Sequence, residues 1–321
     1  MQFQTLLLAS MSVFFVAFPD ANAQQFPVKS IRLVVPAPPG AGMDTLARMV
    51  ADKAAQGLGQ PIVIENNGSA DGMVAATLVA RSTADGYVLL VGNAATHTAH
   101  LYRRNPPYDP VRDFAPITGG GLSVTCLAVP ASLGVQSVAE LINLIRRNPG
   151  KHSFGTGGTT VNNGMFVSGD AFKRLTGTDL VGVPFAAIAP LMTELLAGRV
   201  SMAFTTVTSA LPQDRAGKVK ILAITESRRY AMLPDVPTLA EVVPGFASTA
   251  LWNGYFARAG TPQGVVQRLN VEMVKGLKSA DESKLPGITL IGGTPDEFAN
   301  FVKIQTEDLA KLLKATGFQP E

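Results

Sequence analysis

IRLVVPAPPGAGMDTLARMVADKAAQGLGQPIVIEN, residues 31–66, is the stretch on which the architecture turns. Residues 31–36 form a near-continuous apolar run of strand length, and Leu46, Met49, Val50, Ala54 and Leu58 then recur at helical spacing. Gly57 and Gly59 end that helix, and residues 61–65 read as a second strand. A helix-like stretch from Met73 to Ala80, a turn at Asp85 and Gly86, and a strand over 87–91 follow. Strand and helix therefore alternate as β-α-β-α-β, which predicts a mainly parallel sheet with right-handed crossovers.

The same alternation continues along the chain. Ser137 with Glu140 forms a capping box ahead of Leu141, Ile142 and Ile145, and Pro149 with Gly150 stops that helix. Pro190 opens a helix closed by Gly198, and residues 200–204 and 219–225 read as strands. Thr261 and Pro262 start one late helix. Thr294, Pro295 and Glu297 start another, with Phe298, Phe301 and Val302 on its apolar face. Two proline-rich stretches, 105–116 and 233–244, lie near where a chain could pass outward and back between lobes. At 321 residues the chain exceeds the usual single-domain size of about 100–200, which favours two lobes. The expected division is a signal segment over 1–23, a discontinuous first lobe over 24–124 and 226–321, and a second lobe over 125–225.

Composition excludes several classes. With 46% hydrophobic and 16% charged residues the chain is too apolar and too weakly charged to be disordered. Its longest apolar stretch, 6–18, is shorter than the roughly 18–20 residues that span a bilayer, so no transmembrane helix is expected. That stretch is followed by Ala21, Asn22 and Ala23, the small-residue pattern read by signal peptidase, so export to the periplasm with cleavage after Ala23 is expected. Cleavage removes Asp20 and no Lys or Arg, so the formal charge rises from +3 to +4. Lys and Arg are scattered singly or in pairs such as Arg103 and Arg104, which gives no nucleic-acid stripe. Cys126 stands alone in an apolar run and reads as a buried, inert thiol. His97 and His100 lack the glutamate of a zincin motif, so neither a metal nor another cofactor is expected.

Two loops carry the chemistry. After the first strand come Pro38, Pro39, Gly40, Ala41, Gly42, Met43 and Asp44, and a helix begins at once. Amides at a helix N-terminus bind anions, and glycine admits a ligand close to the backbone. The second loop, 155–160, contains Thr156, Gly157, Thr159 and Thr160 and leads toward another helix. Together they could hold the two ends of a small anion without Arg or Lys. The alternative is that both are tight strand-helix turns with Asp44 and Asn162 as caps. A dinucleotide reading of Gly40, Gly42 and Glu65 fails because Thr45 occupies the third glycine position and two prolines stiffen the turn. No GxSxG elbow is present. A catalytic set assembled only in three dimensions stays open.

Residues 31–66 together with ADGYVLLVGNAATH, YDPVRDFAPIT, NPGKHSFGT, LLAGRVSMAF, AGKVKILAIT, LPDVPTLAE and ARAGTPQGVVQRLN, in this order, resemble the Bug family. These are periplasmic solute-binding proteins of tripartite tricarboxylate transporters, and the resemblance covers essentially the whole mature chain. It implies a class II periplasmic-binding-protein fold, in which two α/β lobes joined by two crossing segments close around a carboxylate. It also implies delivery to membrane subunits, a monomer, and no enzymatic activity. Carried over by position, it points to Gly40, Gly42, Asp44, Asn93, Thr96, His97, Thr156 and Gly157, with Pro39, Ala41, Met43, Ala94, Thr159, Thr160 and Phe185 alongside. This chain departs from the family at Ala37, Met43, Phe166 and Ala186, where an aromatic, a threonine, a histidine and a lysine are usual, which predicts a roomier cleft suited to a bulky or aromatic body. A ligand-sensing subunit for a membrane kinase and an exported hydrolase remain as other readings. The exported protein is expected to begin at Gln24; intact mass of the secreted chain checks this, and a mass retaining residues 1–23 would contradict it.

Overall fold

The computed structural model describes residues 26–157, 164–285, 287–315 and 317–318. The expected signal segment and its cleavage site lie outside these residues, as do Thr159, Thr160 and Asn162.

The first strand, β1 (Ile31–Val35), is followed by α1 (Gly42–Leu58), β2 (Ile62–Asn66), α2 (Met73–Ala80) and β3 (Val88–Asn93), the alternation read from the sequence. Two one-turn helices, α3 (Ala94–His97) and α4 (Ala99–Tyr102), lead to β4 (Phe114–Ser123). Val124 alone separates β4 from β5 (Thr125–Pro130). Next come α5 (Val138–Arg147), β6 (His152–Gly157), α6 (Gly164–Thr176), β7 (Leu180–Phe185), α7 (Ile188–Leu196), β8 (Met202–Thr206), α8 (Val207–Arg215) and β9 (Val219–Ile224). The chain returns through α9 (Leu239–Val242) to β10 (Leu251–Arg258), α10 (Gln263–Lys278), β11 (Ile288–Gly292) and α11 (Pro295–Ala315).

Among the described residues these strands make a six-stranded sheet, ordered β11-β4-β10-β3-β1-β2, and a five-stranded sheet, ordered β7-β6-β8-β5-β9. β1 runs parallel to β2 and β3, and β6 parallel to β7 and β8. Each sheet is nevertheless mixed: β10 pairs antiparallel with β3 and β4, β11 with β4, and β5 with β8 and β9. The cause is the crossing. A strand that enters a sheet from the side facing the other lobe must run against the strands that end on that side, and β5 and β10 are those strands.

The outward crossing runs through Val124 in almost uninterrupted strand, so the proline-rich stretch 105–116 does not carry it; that stretch precedes and opens β4. Proline supplies no ladder donor, which suits an approach to a sheet better than a shared strand. The stretch 233–244 does lie in the return, where Thr238 bridges Ile224 and caps α9 together with Glu241. At α5 the expected box is shifted by one residue. Ser137 Oγ accepts from the Glu140 amide at 3.2 Å, but the Glu140 carboxylate accepts from the Gln136 amide at 2.8 Å.

β1 is buried on both faces because helices cover both. On one side α1 and α10 pack Leu46, Val50, Leu269 and Met273 against Leu33 and Val35. On the other, Val34 meets Ala75, Val79, Trp252, Phe256 and Phe298. The second sheet is likewise double-faced, with Leu127, Phe154, Phe172 and Phe204 on one side and Ala128, Leu191 and Ile221 on the other. Cys126 lies in that second layer with no exposure, and burial pushes its thiol up, as an inert core thiol requires. Leu309, Leu312 and Leu313 at the end of α11 join the second sheet's core. The last helix thus spans both lobes.

α1 and α10 approach closely at Gly276, where an added Cβ would lie 2.8 Å from the Val50 carbonyl oxygen and 3.0 Å from its Cα. Backbone cannot yield as a flexible side chain can, so Gly276→Ala should cost about 1–3 kcal/mol through overpacking and lower the melting temperature by several degrees. Calorimetric unfolding checks this, and an unchanged midpoint would mean that the two helices separate without loss.

Candidate ligand cleft

Between the two sheets lies a cavity of about 380 Å³. Gly42 and Met43 reach it from the start of α1, Asn93 and Ala94 from the end of β3, and Ser123 from the outward crossing. The return contributes Ser248, Thr249, Leu251, Trp252 and Asn253; Gly164, Ile288, Gln305 and Leu309 close the remaining sides. Among the described residues no lining side chain carries a charge.

The β1–α1 loop turns at Gly40, whose φ of +82° favours glycine. Ala41 is the N-cap of α1 and supplies no side-chain bond. Asp44 is therefore not the expected cap. It is the third helical residue, buried at 1% exposure, and its carboxylate reaches back to accept from the Gly40 amide at 2.8 Å. The same carboxylate accepts from Arg48 Nε and Nη2, both at 3.0 Å, and from Asn66 Nδ2 at 2.8 Å. Asn66 Nδ2 also donates to the Ala37 carbonyl at 2.9 Å, so the end of β2 is tied to the loop. Gly40 and Asp44 accordingly build the loop and spend their polar groups on one another. The amides of Gly42, Met43 and Asp44 have no acceptor among the described residues, and Gly42 and Met43 face the cavity. Pro39 and Gly40 lie exposed behind them.

The 93–97 stretch divides in two. Asn93 and Ala94 line the cavity, but Asn93 Oδ1 caps α3 by accepting from the Thr96 amide at 2.9 Å, and Thr96 Oγ1 accepts from the Asn93 amide at 2.9 Å. Thr96 and His97 turn inward, at 0% and 2% exposure. His97 stacks on Phe256 with ring centroids 3.9 Å apart, and burial lowers its pKa to about 3, so it is neutral at any physiological pH.

In the second loop Thr156 is wholly buried and its hydroxyl has no partner among the described residues. An added Cβ at Gly157 would lie 2.5 Å from the Ile188 side chain and 3.1 Å from its backbone, so that glycine is required by α7 whatever else it does. Phe185 packs at the end of β7 against the second sheet's core and is absent from the cavity wall.

Of the four departures on which the expectation of a roomier cleft rests, Met43 alone lines the cavity. Ala37 is buried in the first sheet's core, Phe166 packs on Phe154 with ring centroids 5.5 Å apart, and Ala186 is exposed. Hydrophobic side chains at three of those positions are thus packing or surface variation. Glu65, the residue that suggested a ribose partner, is bound to Arg32 across β1 and β2, with Nη2 to Oε1 at 2.7 Å. The reading along the sequence missed Ser248, Thr249, Trp252, Asn253, Gln305 and Leu309. Their only signal was the single Trp, because no spacing rule links the return crossing to the end of the last helix.

Burial raises the Asp44 carboxyl, but the bonds from Arg48, Asn66 and Gly40 outweigh it and hold the group below the ordinary carboxylate range. A depressed group stabilises the fold above its unfolded value near pH 4 and loses that contribution as pH falls through the folded value. Asp44→Asn should therefore cost about 2 kcal/mol at pH 7, with a smaller gap at pH 3. Urea unfolding at both pH values measures it; an equal gap at each would place the stabilisation elsewhere.

The family model described as "Tripartite tricarboxylate transporter family receptor" matches residues 46–289. A UPF0065 protein in the tcbD-tcbE intergenic region of Pseudomonas sp. (strain P51) is 33% identical over 293 residues, covering 90% of this chain and 86% of its own. R. palustris Rpa4515, solved with adipate, is 32% identical with a TM-score of 0.75, covering 92% of this chain and 100% of its own. MatC (Rpa3494) from Rhodopseudomonas palustris, solved with bound malate, is 30% identical with a TM-score of 0.70, covering 91% and 100%. With two α/β lobes around an uncharged cleft and a family match over most of its length, this chain belongs to the tripartite tricarboxylate transporter receptors, solute-binding proteins of the Bug type rather than enzymes.

Proposed function

We propose that this receptor captures a small organic carboxylate in the cleft between its lobes, with one carboxylate group against the amides of Gly42, Met43 and Asp44. One observation carries the reading: a 17-residue helix opens on the cavity with these amides free of acceptors among the described residues. The amides and the positive end of the helix dipole favour an anion without a cationic side chain. Met43, Leu251, Trp252, Ile288 and Leu309 offer apolar contact to the ligand's body, and the volume suits a small molecule. Relatives solved with adipate and with malate support the ligand class. The wider reading is that the chain is exported to the periplasm, loses residues 1–23, and acts as a monomer that passes its ligand to membrane subunits of a tripartite transporter. In this reading residues 24–124 and 226–321 make up one lobe and 125–225 the other, with bending at Val124 and in the return before β10, while Leu239, Val243 and Phe246 of the return and Leu309, Leu312 and Leu313 of α11 pack into the second lobe's core.

A thermal-shift screen of mono-, di- and tricarboxylates, aromatic acids included, finds the ligand, since saturation at 100 times Kd adds about 2.7 kcal/mol. Gly42→Val then tests the site. An added Cβ there meets only Ile288 Cδ1, at 3.4 Å, so folding should be little changed. Affinity by calorimetry should fall at least about tenfold, or 1.4 kcal/mol; an unchanged Kd in the folded variant would move the anion elsewhere.

A further inference from the structure

Where the outward and return crossings lie side by side, a carboxylate is buried with no cation beside it among the described residues. Glu226, two residues beyond β9, is 9% exposed. Its Oε1 faces the Thr125 amide at 3.4 Å and Thr125 Oγ1 at 3.5 Å, and its Oε2 accepts from Ser248 Oγ at 3.3 Å. These contacts are long for charge-assisted bonds, which run at about 2.5–2.9 Å. Among the described residues, neither the start of β5, nor the end of β9, nor the segment before β10 brings a titratable or charged partner to it: Thr125 and Ser248 bond it, and Thr225 bonds Thr125. Arg229, three residues on, is bound instead to Glu241. Burial pushes the Glu226 carboxyl up to about 7, more than the bonds from Thr125 and Ser248 pull it down.

Ser248 lines the ligand cavity, so Glu226 stands one hydrogen bond behind the cleft wall. While Glu226 is ionised, the Ser248 proton points at it and the cleft meets a hydroxyl lone pair, which repels a carboxylate. Once Glu226 takes a proton from solvent onto Oε2, it donates to Ser248 Oγ, and the Ser248 proton turns into the cleft. We infer that Glu226, acting through Ser248, determines specificity at the wall that the return crossing gives the cleft, so that a ligand with a second carboxylate binds together with one proton. No covalent bond of the ligand changes. The inference rests on the carboxylate reading of the cleft and extends it to a ligand's second carboxylate.

Calorimetric titration of adipate and of hexanoate, which lacks the second carboxylate, tests it between pH 7 and 9 in buffers of different protonation heat. Adipate should bind with uptake of up to one proton, its Kd rising by as much as about tenfold per pH unit, while hexanoate stays level. In Glu226→Gln the adipate profile should be level too. In Ser248→Ala the slope should vanish although Glu226 still titrates, which pH-dependent unfolding detects: relative to Glu226→Gln, the unmodified protein loses stability as pH rises from about 4 through 7. Equal proton uptake and equal slopes in the unmodified protein and Glu226→Gln would overturn the inference alone. Failure of both acids to bind the unmodified protein would overturn the carboxylate reading of the cleft, and this inference with it.

Discussion

The chain passes between its two sheets at Val124 and again between Thr225 and Leu251, and both passages have to satisfy backbone groups while serving as walls of the same cavity. Extended chain solves this. Val207 donates to the Val124 carbonyl and Thr225 to the Thr125 carbonyl, so both crossings are stitched to the five-stranded sheet. The hydroxyls of Thr125 and Thr225 bond one another and bind the two crossings together. From this follow the antiparallel direction of β5 and β10 and the position of the cleft at the ends of β1 and β3. The nearness of Ser123 to Ser248 and Thr249 in its wall follows too.

A neutral cleft is held by charged residues that do not enter it. Asp44 is buried and multiply bonded, which keeps it ionised and keeps the β1–α1 loop in the shape that aims the first amides of α1 at the cavity. Glu226 is buried with hydroxyls and one amide around it, and its carboxyl is pushed the opposite way. The two carboxyls differ because Arg48 accompanies one and no cation accompanies the other. In the proposed reading, a ligand's charge would meet the oriented dipoles at the start of α1 and, at the return crossing, a hydroxyl whose direction depends on Glu226 behind it.

Local patterning was legible wherever its physical cause is local. The apolar period of residues 31–66 and the strand-helix alternation appear at β1, α1 and β2 within a residue or two, because buried faces impose their spacing on a short stretch. The loop at Gly40 and Gly42 was legible for the same reason: strand, glycine turn and helix start are neighbours in sequence. Cys126 was readable as core from its apolar surroundings alone. The class of fold and the family followed from the number and order of such stretches.

Tertiary structure alone decided which polar groups remain free for a ligand. Asp44 and Thr96 looked like site residues and are spent on their own loops, Asp44 with Gly40, Arg48 and Asn66, and Thr96 with Asn93. His97 and Phe185 carry suitable chemistry but pack into cores. Conversely, Ser248, Trp252 and Gln305 enter the cavity although more than 150 residues separate them from the first loop. A hydrogen bond or a cavity wall depends on distance in space, and sequence spacing encodes that distance only within one element or turn. Local patterning thus carries the elements, the class of fold and the glycine turn into α1, while packing between the lobes sets the walls of the cleft and the place of Glu226 behind Ser248.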